Sequence, residues 1–100
     1  MNSKTRNFLR KRAHFLKPAV MVGKEGADSR IEKALDEALN RHELVKVRFQ
    51  NFKDECRPIA EELSDKVKAQ LVTVTGHVAI IFRQNEKQEE RLIHIPKDFI

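Results

Sequence analysis

Apolar residues recur along the chain at two spacings, and the switches between them mark seven elements. Residues 4 to 16 place Phe8, Leu9, Ala13, Phe15 and Leu16 on one helical face, with Ser3 or Thr5 as cap and Pro18 as stop. Arg6, Arg10, His14 and Lys17 form a stripe on the opposite side, at steps of four, four and three. Arg12 breaks the pattern by projecting into the apolar face, where its stem should pack while its head reaches an edge or an acid. Ala19 to Val22 is an apolar run without alternation, consistent with a strand covered on both faces. A Gly23-Lys24-Glu25-Gly26 loop follows. The next helix starts at Asp28 or Ser29, with Ser29 and Glu32 spaced as a capping box and Ile31, Ala34, Leu35, Ala38 and Leu39 as its apolar face.

Leu44 to Phe49 alternates, with Val45, Val47 and Phe49 on one side and Lys46 and Arg48 on the other. A third helix spans roughly 55 to 67, buried through Ile59, Ala60, Leu63 and Val67, with Pro58 tolerated in its first turn. Leu71–Thr75 and Val78–Arg83 read as two strands of a hairpin turning at Gly76. Residues 84–100 read as a polar, mobile loop followed by a short Leu92–Ile95 strand or extended tail. The order helix–strand–helix–strand–helix–strand–strand predicts an α/β (α+β) domain with a mixed four-stranded sheet. Both strand–helix–strand units should make parallel pairs, and the closing hairpin one antiparallel pair.

Length and charge narrow the function. One hundred residues suit a single domain spanning 1–100, and no apolar run approaches the roughly 20 residues of a membrane span. The opening residues lack an apolar secretion-type stretch, and the lone Cys56 rules out an internal disulfide, so a cytoplasmic setting is expected. Seven of the 20 basic residues (Lys4, Arg6, Arg10, Lys11, Arg12, Lys17, Lys24) and none of the 15 acidic ones precede Glu25, which leaves the rest of the chain net negative by two. A merely solvated face mixes signs, as residues 53 to 68 do. An acid-free cationic segment beside a glycine loop instead suits a phosphate polymer.

Enzymatic signatures are absent from the pattern. His14, His42, His77 and His94 fall on separate elements, Cys56 has no second cysteine for a metal site, and no phosphate-binding glycine motif of the nucleotide-hydrolase or dinucleotide type occurs. Glu61 and Glu62 are adjacent on a helix and point about 100° apart, as a solvated face would. No catalysis, metal or cofactor is expected. Two glycines three apart are weak evidence alone. This pair, however, sits between a basic helix and the start of the next helix, where free N–H groups favour an anion. KH-type modules use a GxxG loop to clamp a sugar-phosphate backbone. With six phenylalanines and no tryptophan or tyrosine, and with Phe8, Phe15 and Phe49 reading as core, backbone shape and charge should dominate over base stacking.

The segments Leu9-Arg10-Lys11-Arg12-Ala13-His14, Leu16-Lys17-Pro18, Val22-Gly23-Lys24-Glu25-Gly26, Ala38-Leu39, His42-Glu43-Leu44-Val45-Lys46-Val47 and Thr75-Gly76-His77-Val78-Ala79-Ile80-Ile81-Phe82-Arg83 together resemble YhbY-like proteins, which share the CRM domain. The resemblance covers Ser3 to Pro96. It implies a stand-alone RNA-binding protein of bacterial or archaeal type, associated with large-subunit ribosomal precursors. It also implies a fold like the C-terminal domain of a bacterial translation initiation factor. The resemblance implies RNA contact by the GxxG loop and nearby basic residues; the set read here is Gly23, Lys24, Glu25 and Gly26, with Arg6, Arg10, Lys11, His14 and Lys17 along the helix, and Arg83, Lys46 and Arg48 as weaker candidates. The chain departs from the usual pattern at Arg12 (usually Leu), at Ala27-Asp28 (usually Leu-Thr) and at Phe82 (usually Tyr). Glu25 and Asp28 make the loop rim more acidic, which either weakens phosphate contact or caps the helix. RNA is the expected partner of a monomer. The rivals are an adaptor for acidic proteins and a nonspecific DNA-associated protein.

Overall fold

The computed structural model describes residues 1–99. Helix α1 spans Ser3–Ala13, and Asn2 rather than Ser3 or Thr5 caps it, its side chain accepting from the Thr5 amide at 2.8 Å. Asparagine is among the strongest N-caps, so the helix starts as soon as one is present. It also stops earlier than expected. Pro18 disfavours helical backbone at Lys17, and the chain closes with short-range bonds from His14 N to Lys11 O and from Leu16 N to Ala13 O. Phe15 and Leu16 therefore leave the apolar face and are exposed. The buried stripe narrows to Thr5, Leu9 and Ala13, with Phe8 half-buried beside it. Arg12 lies roughly 60° off that line. It is exposed rather than packed, so the expected burial of its stem is not seen.

Strands β1 (Val20–Val22), β2 (Leu44–Phe49), β3 (Gln70–Thr75) and β4 (Val78–Phe82) form one mixed sheet in the order β1-β2-β4-β3. β1 pairs with β2 in parallel, and β4 is antiparallel to both β2 and β3. The second strand–helix–strand unit thus gives no parallel pair, because β4 inserts between β2 and β3. The reason is apolar content. Ala79, Ile80, Ile81 and Phe82 are buried on both faces of β4, which demands a central position, whereas β3 carries Thr73 and Thr75 and tolerates an edge. β1 is the other edge, and Met21 is exposed on one of its faces, against the expectation of cover on both.

Two cores result. On one face, helices α2 (Ser29–His42) and α3 (Cys56–Lys66) cover Val20, Val22, Val45, Val47, Phe49 and Ile81 with Leu35, Leu39, Ala60 and Leu63. Ala34, expected on the apolar face of α2, is exposed at its rim. On the other face, Leu9 and Ala13 of α1 meet Leu44, Val72, Ile80, Phe82 and the tail residue Ile93. A bulge between Leu71 and Thr73 lets Val72 turn into this second core. Gly76, at φ +60, takes the first position of the two-residue β3–β4 turn, a conformation that favours glycine.

The tail is ordered by one residue. Glu43 ends α2 at φ 61 and is 1% exposed. Its carboxylate accepts from the backbone N–H groups of Asn85 at 2.5 Å, Leu92 at 2.7 Å and Ile93 at 2.8 Å. Among the described residues the segment after β4 has no strand. It is a plug with two short 3-10 turns, Gln88–Glu90 and Lys97–Phe99, pinned by Glu43 and by an edge-on contact of the Phe8 and Phe99 rings at 5.9 Å. Asn2 Nδ2 also donates to the Phe99 carbonyl, which closes the tail over the start of α1.

Candidate nucleic-acid interface

The glycine loop is a tight turn with a rigid backing. Gly26 N donates to Gly23 O at 3.1 Å, and the next strand's exit holds the turn from behind, Gln50 N donating to Val22 O at 3.0 Å. Gly26 sits at φ +74, a left-handed backbone that favours glycine, while a Cβ there would meet the Phe52 ring at 3.4 Å, an ordinary contact. Lys24 and Glu25 project from the tip into solvent. A shallow cleft of about 320 Å³ runs from Gly23 past Asp28 and Arg30 to Ile31.

Asp28, not a Ser29–Glu32 capping box, caps α2, with Oδ1 accepting from the amides of Arg30 at 3.1 Å and Ile31 at 3.2 Å. Its other oxygen pairs with the Arg30 guanidinium at 2.9 Å. That side-chain bond, followed by the Ile31 amide, holds the carboxyl below the ordinary carboxylate range. The arrangement has two consequences. Asp28 is already neutralised, so Glu25 alone makes the loop rim acidic. Two amides of the helix N-terminus are also occupied, so anion contact at this corner falls to the loop amides and Lys24.

The basic residues separate into groups. Arg10, Lys11, Arg12, Lys17, Lys24 and Arg48 are exposed and Lys46 is half-buried, and among the described residues none of them lies within 4 Å of a carboxylate. His14 is exposed, and its carbonyl accepts from Lys46 Nζ at 3.4 Å, which draws the end of α1 against the outer face of β2. Lys46 and Arg48 share that face, and the register sets Met21 of β1 beside Arg48. β1 then runs directly into the loop that carries Lys24. The α1 side thus gathers the helix end, the open sheet edge and the glycine loop.

Two expected members do not join. Arg6 turns its Nε onto the Val72 carbonyl at 2.9 Å and tethers α1 to β3. Arg83 lies on the other layer, its guanidinium held by Asp36 Oδ1 at 2.7 Å, Val67 O at 2.8 Å, Asn40 Oδ1 at 2.8 Å and Asp36 O at 3.0 Å. It braces α2, the end of α3 and β4 beside a broad groove of about 710 Å³ whose walls mix both signs. The opposite layer is not cationic. α2 carries three basic and three acidic residues, and residues 53–66 carry three basic and five acidic ones.

Cys56 is buried, burial pushes its thiol above the ordinary value, and Sγ donates to the Lys53 carbonyl at 3.0 Å. Among the described residues no cluster of three His, Cys, Asp or Glu could hold a metal, and no helix is long and apolar enough to cross a membrane.

Sheet order, two-sided helix cover and a backed glycine turn beside free cations define a small α/β domain with one charged face. The sequence model of the CRS1 / YhbY (CRM) domain matches residues 1–83, and the chain belongs to that family. A protein named Probable RNA-binding protein in Methanocaldococcus jannaschii is 36% identical, over 97% of this chain and 74% of the relative. Probable RNA-binding protein YqeI of Bacillus subtilis is 34% identical over 96% of this chain and 99% of its own length. An RNA-binding protein of Haemophilus influenzae is 31% identical, with 92% and 94% covered. The solution structure of SAV1595 from Staphylococcus aureus superposes with a TM-score of 0.77 at 32% identity, covering 94% of this chain and 99% of that one.

Proposed function

We propose that this protein binds structured RNA without a catalytic step, through the Gly23–Gly26 turn and the cationic α1 side, and that its RNA is ribosomal RNA of large-subunit precursors. The observation that carries the reading is the group of cations left without carboxylate partners around one backed glycine turn. Free cations gain most from phosphate, because no internal ion pair must be broken first. Lys24 and the loop amides of Gly23 to Glu25 hold the backbone, with the Glu25 carboxylate at the rim and the Gly26 amide closing the turn. Arg10, Lys11, His14 and Lys17 extend the footprint along α1, and Lys46 and Arg48 continue it onto the sheet. The names of the relatives and the family membership support RNA as partner. The large-subunit assignment follows the family resemblance; a cytoplasmic setting is read from the lone Cys56 and the opening residues, and a monomer is proposed with it.

The test is a salt series on a large-subunit RNA fragment. Neutralisation of about four to six phosphates gives a slope of log affinity against log salt of roughly −3 to −5. Replacing Lys24 and Glu25 together by Asp should keep the fold by circular dichroism and cost at least tenfold in affinity. A flat salt response, or unchanged affinity of the folded double variant, refutes the loop-and-helix interface. An adaptor for acidic proteins would instead keep its partners after RNase treatment.

A further inference from the structure

We propose that Phe15 is a stacking platform for an unpaired base of the bound RNA, so that the protein selects RNA with a single-stranded nucleotide beside its phosphate track; this rests on the RNA-binding reading above. Phe15 is 88% exposed, although residues 1–99 bury two dense apolar cores. The other phenylalanines are placed elsewhere. Phe49 and Phe82 are core, Phe8 and Phe99 pack edge-on against each other, and Phe52 backs Gly26. Phe15 has no such task.

Its exposure has a structural cause. α1 ends at Ala13, two residues before the ring, and the chain then turns toward β1 through Pro18. The ring's aromatic neighbour is His14, whose imidazole plane stands nearly perpendicular to it at 5.0 Å and 86°. A perpendicular neighbour limits the ring's swing and leaves a π-face open to a flat partner. The surroundings select the partner's chemistry. Arg10, Lys11, Arg12 and Lys17 flank the ring within five residues on either side, and none is paired to a carboxylate among the described residues.

A ligand that satisfies both features is a polyanion bearing flat aromatic faces. Single-stranded nucleic acid has that chemistry, and paired RNA does not, because its bases are already stacked on each other. An acidic protein surface would meet the cations but offers no repeated aromatic face to the ring.

The experiment compares wild type, Phe15→Ala, Phe15→Leu and Phe15→Trp on two RNAs of equal length: a hairpin with an unpaired loop and a fully paired duplex. Phe15→Ala should lose about tenfold in affinity for the hairpin, the scale of one base–aromatic stack, and less than twofold for the duplex. Its salt slope on the hairpin should equal that of wild type, since no phosphate contact is removed. Phe15→Trp should retain the affinity and Phe15→Leu should not, which separates stacking from simple apolar contact. Equal losses on both RNAs, or no loss on the hairpin, overturn the proposal while leaving backbone binding intact. Wild type binding neither RNA overturns the RNA reading and this proposal together. Sedimentation velocity supplies the rival outcome: if Phe15→Ala shifts a self-association equilibrium and leaves hairpin affinity unchanged, the ring serves a second copy of the chain.

Discussion

Replacing Glu43 by Gln keeps the shape of the side chain and removes its charge, which makes it a sensitive probe of how the tail is held. Oε1 accepts from both Leu92 N and Ile93 N, and Oε2 accepts from Asn85 N. In the Gln variant the amide oxygen can keep the Leu92 and Ile93 bonds, but its NH2 group then faces the Asn85 N–H, donor to donor. Hydrogen bonds to a charged acceptor contribute about 1.5–3 kcal/mol each, against about 0.5–1.5 for neutral ones, and an unmet buried donor costs a further 1–3. One lost bond and two weakened ones sum to about 4–5 kcal/mol. Burying a neutral side chain in place of a charge offsets part of it, which leaves a net loss of about 3 kcal/mol, a large fraction of the 5–15 kcal/mol typical of a domain. For a chain of this size that is a fall in Tm of roughly 12–24 °C. Thermal melts give the total, and amide hydrogen exchange locates it: Leu92 and Ile93 should lose protection before the strands do. A Tm within about 2 °C of wild type, with the Leu92 and Ile93 amides still protected, would show that apolar docking of Ile93 holds the tail and that the carboxylate is incidental.

Arg83→Ala should cost about 2–3 kcal/mol, because it leaves Asp36 and the Val67 carbonyl without their donor, yet it should not alter the salt slope of RNA binding. A reduced slope in the folded variant would place Arg83 on the RNA after all. Asp28 gives an acid-side signature: its folded carboxyl lies below the ordinary 3.8, so its stabilisation is complete above that value and is lost as pH falls through the lowered one. Melts of wild type and Asp28→Asn should accordingly converge in acid and separate near neutrality.

Local pattern accounts for much of this protein, and the reasons are local too. The faces of α2 and α3, the alternation of β2 and the glycine at the β3–β4 turn are properties of near neighbours in sequence, so spacing alone reveals them. The glycine loop and the unpaired cations of Arg10, Lys11 and Lys17 were legible for the same reason: an acid-free segment has no nearby carboxylate to neutralise it. The order of elements predicted a mixed four-stranded sheet with helices against it, which the structure bears out.

What depended on distant parts of the chain was not legible. The end of α1 is a competition between helical propensity and Pro18 five residues beyond Ala13, and losing that last turn is what exposes Phe15 and Leu16. The place of β4 between β2 and β3 follows from comparing the burial needs of whole strands, which only assembly of the sheet decides. Arg6 and Arg83 looked like members of a cationic face, because nothing in the sequence marks the Val72 carbonyl 66 residues away or Asp36 47 residues away as their acceptors. Glu43 read as one more charge before a strand. It became the anchor of the tail when folding brought three backbone N–H groups, more than 40 residues on, to its carboxylate in a place water does not reach. A buried charge must find its donors wherever the tertiary structure puts them, and sequence spacing carries no record of that meeting.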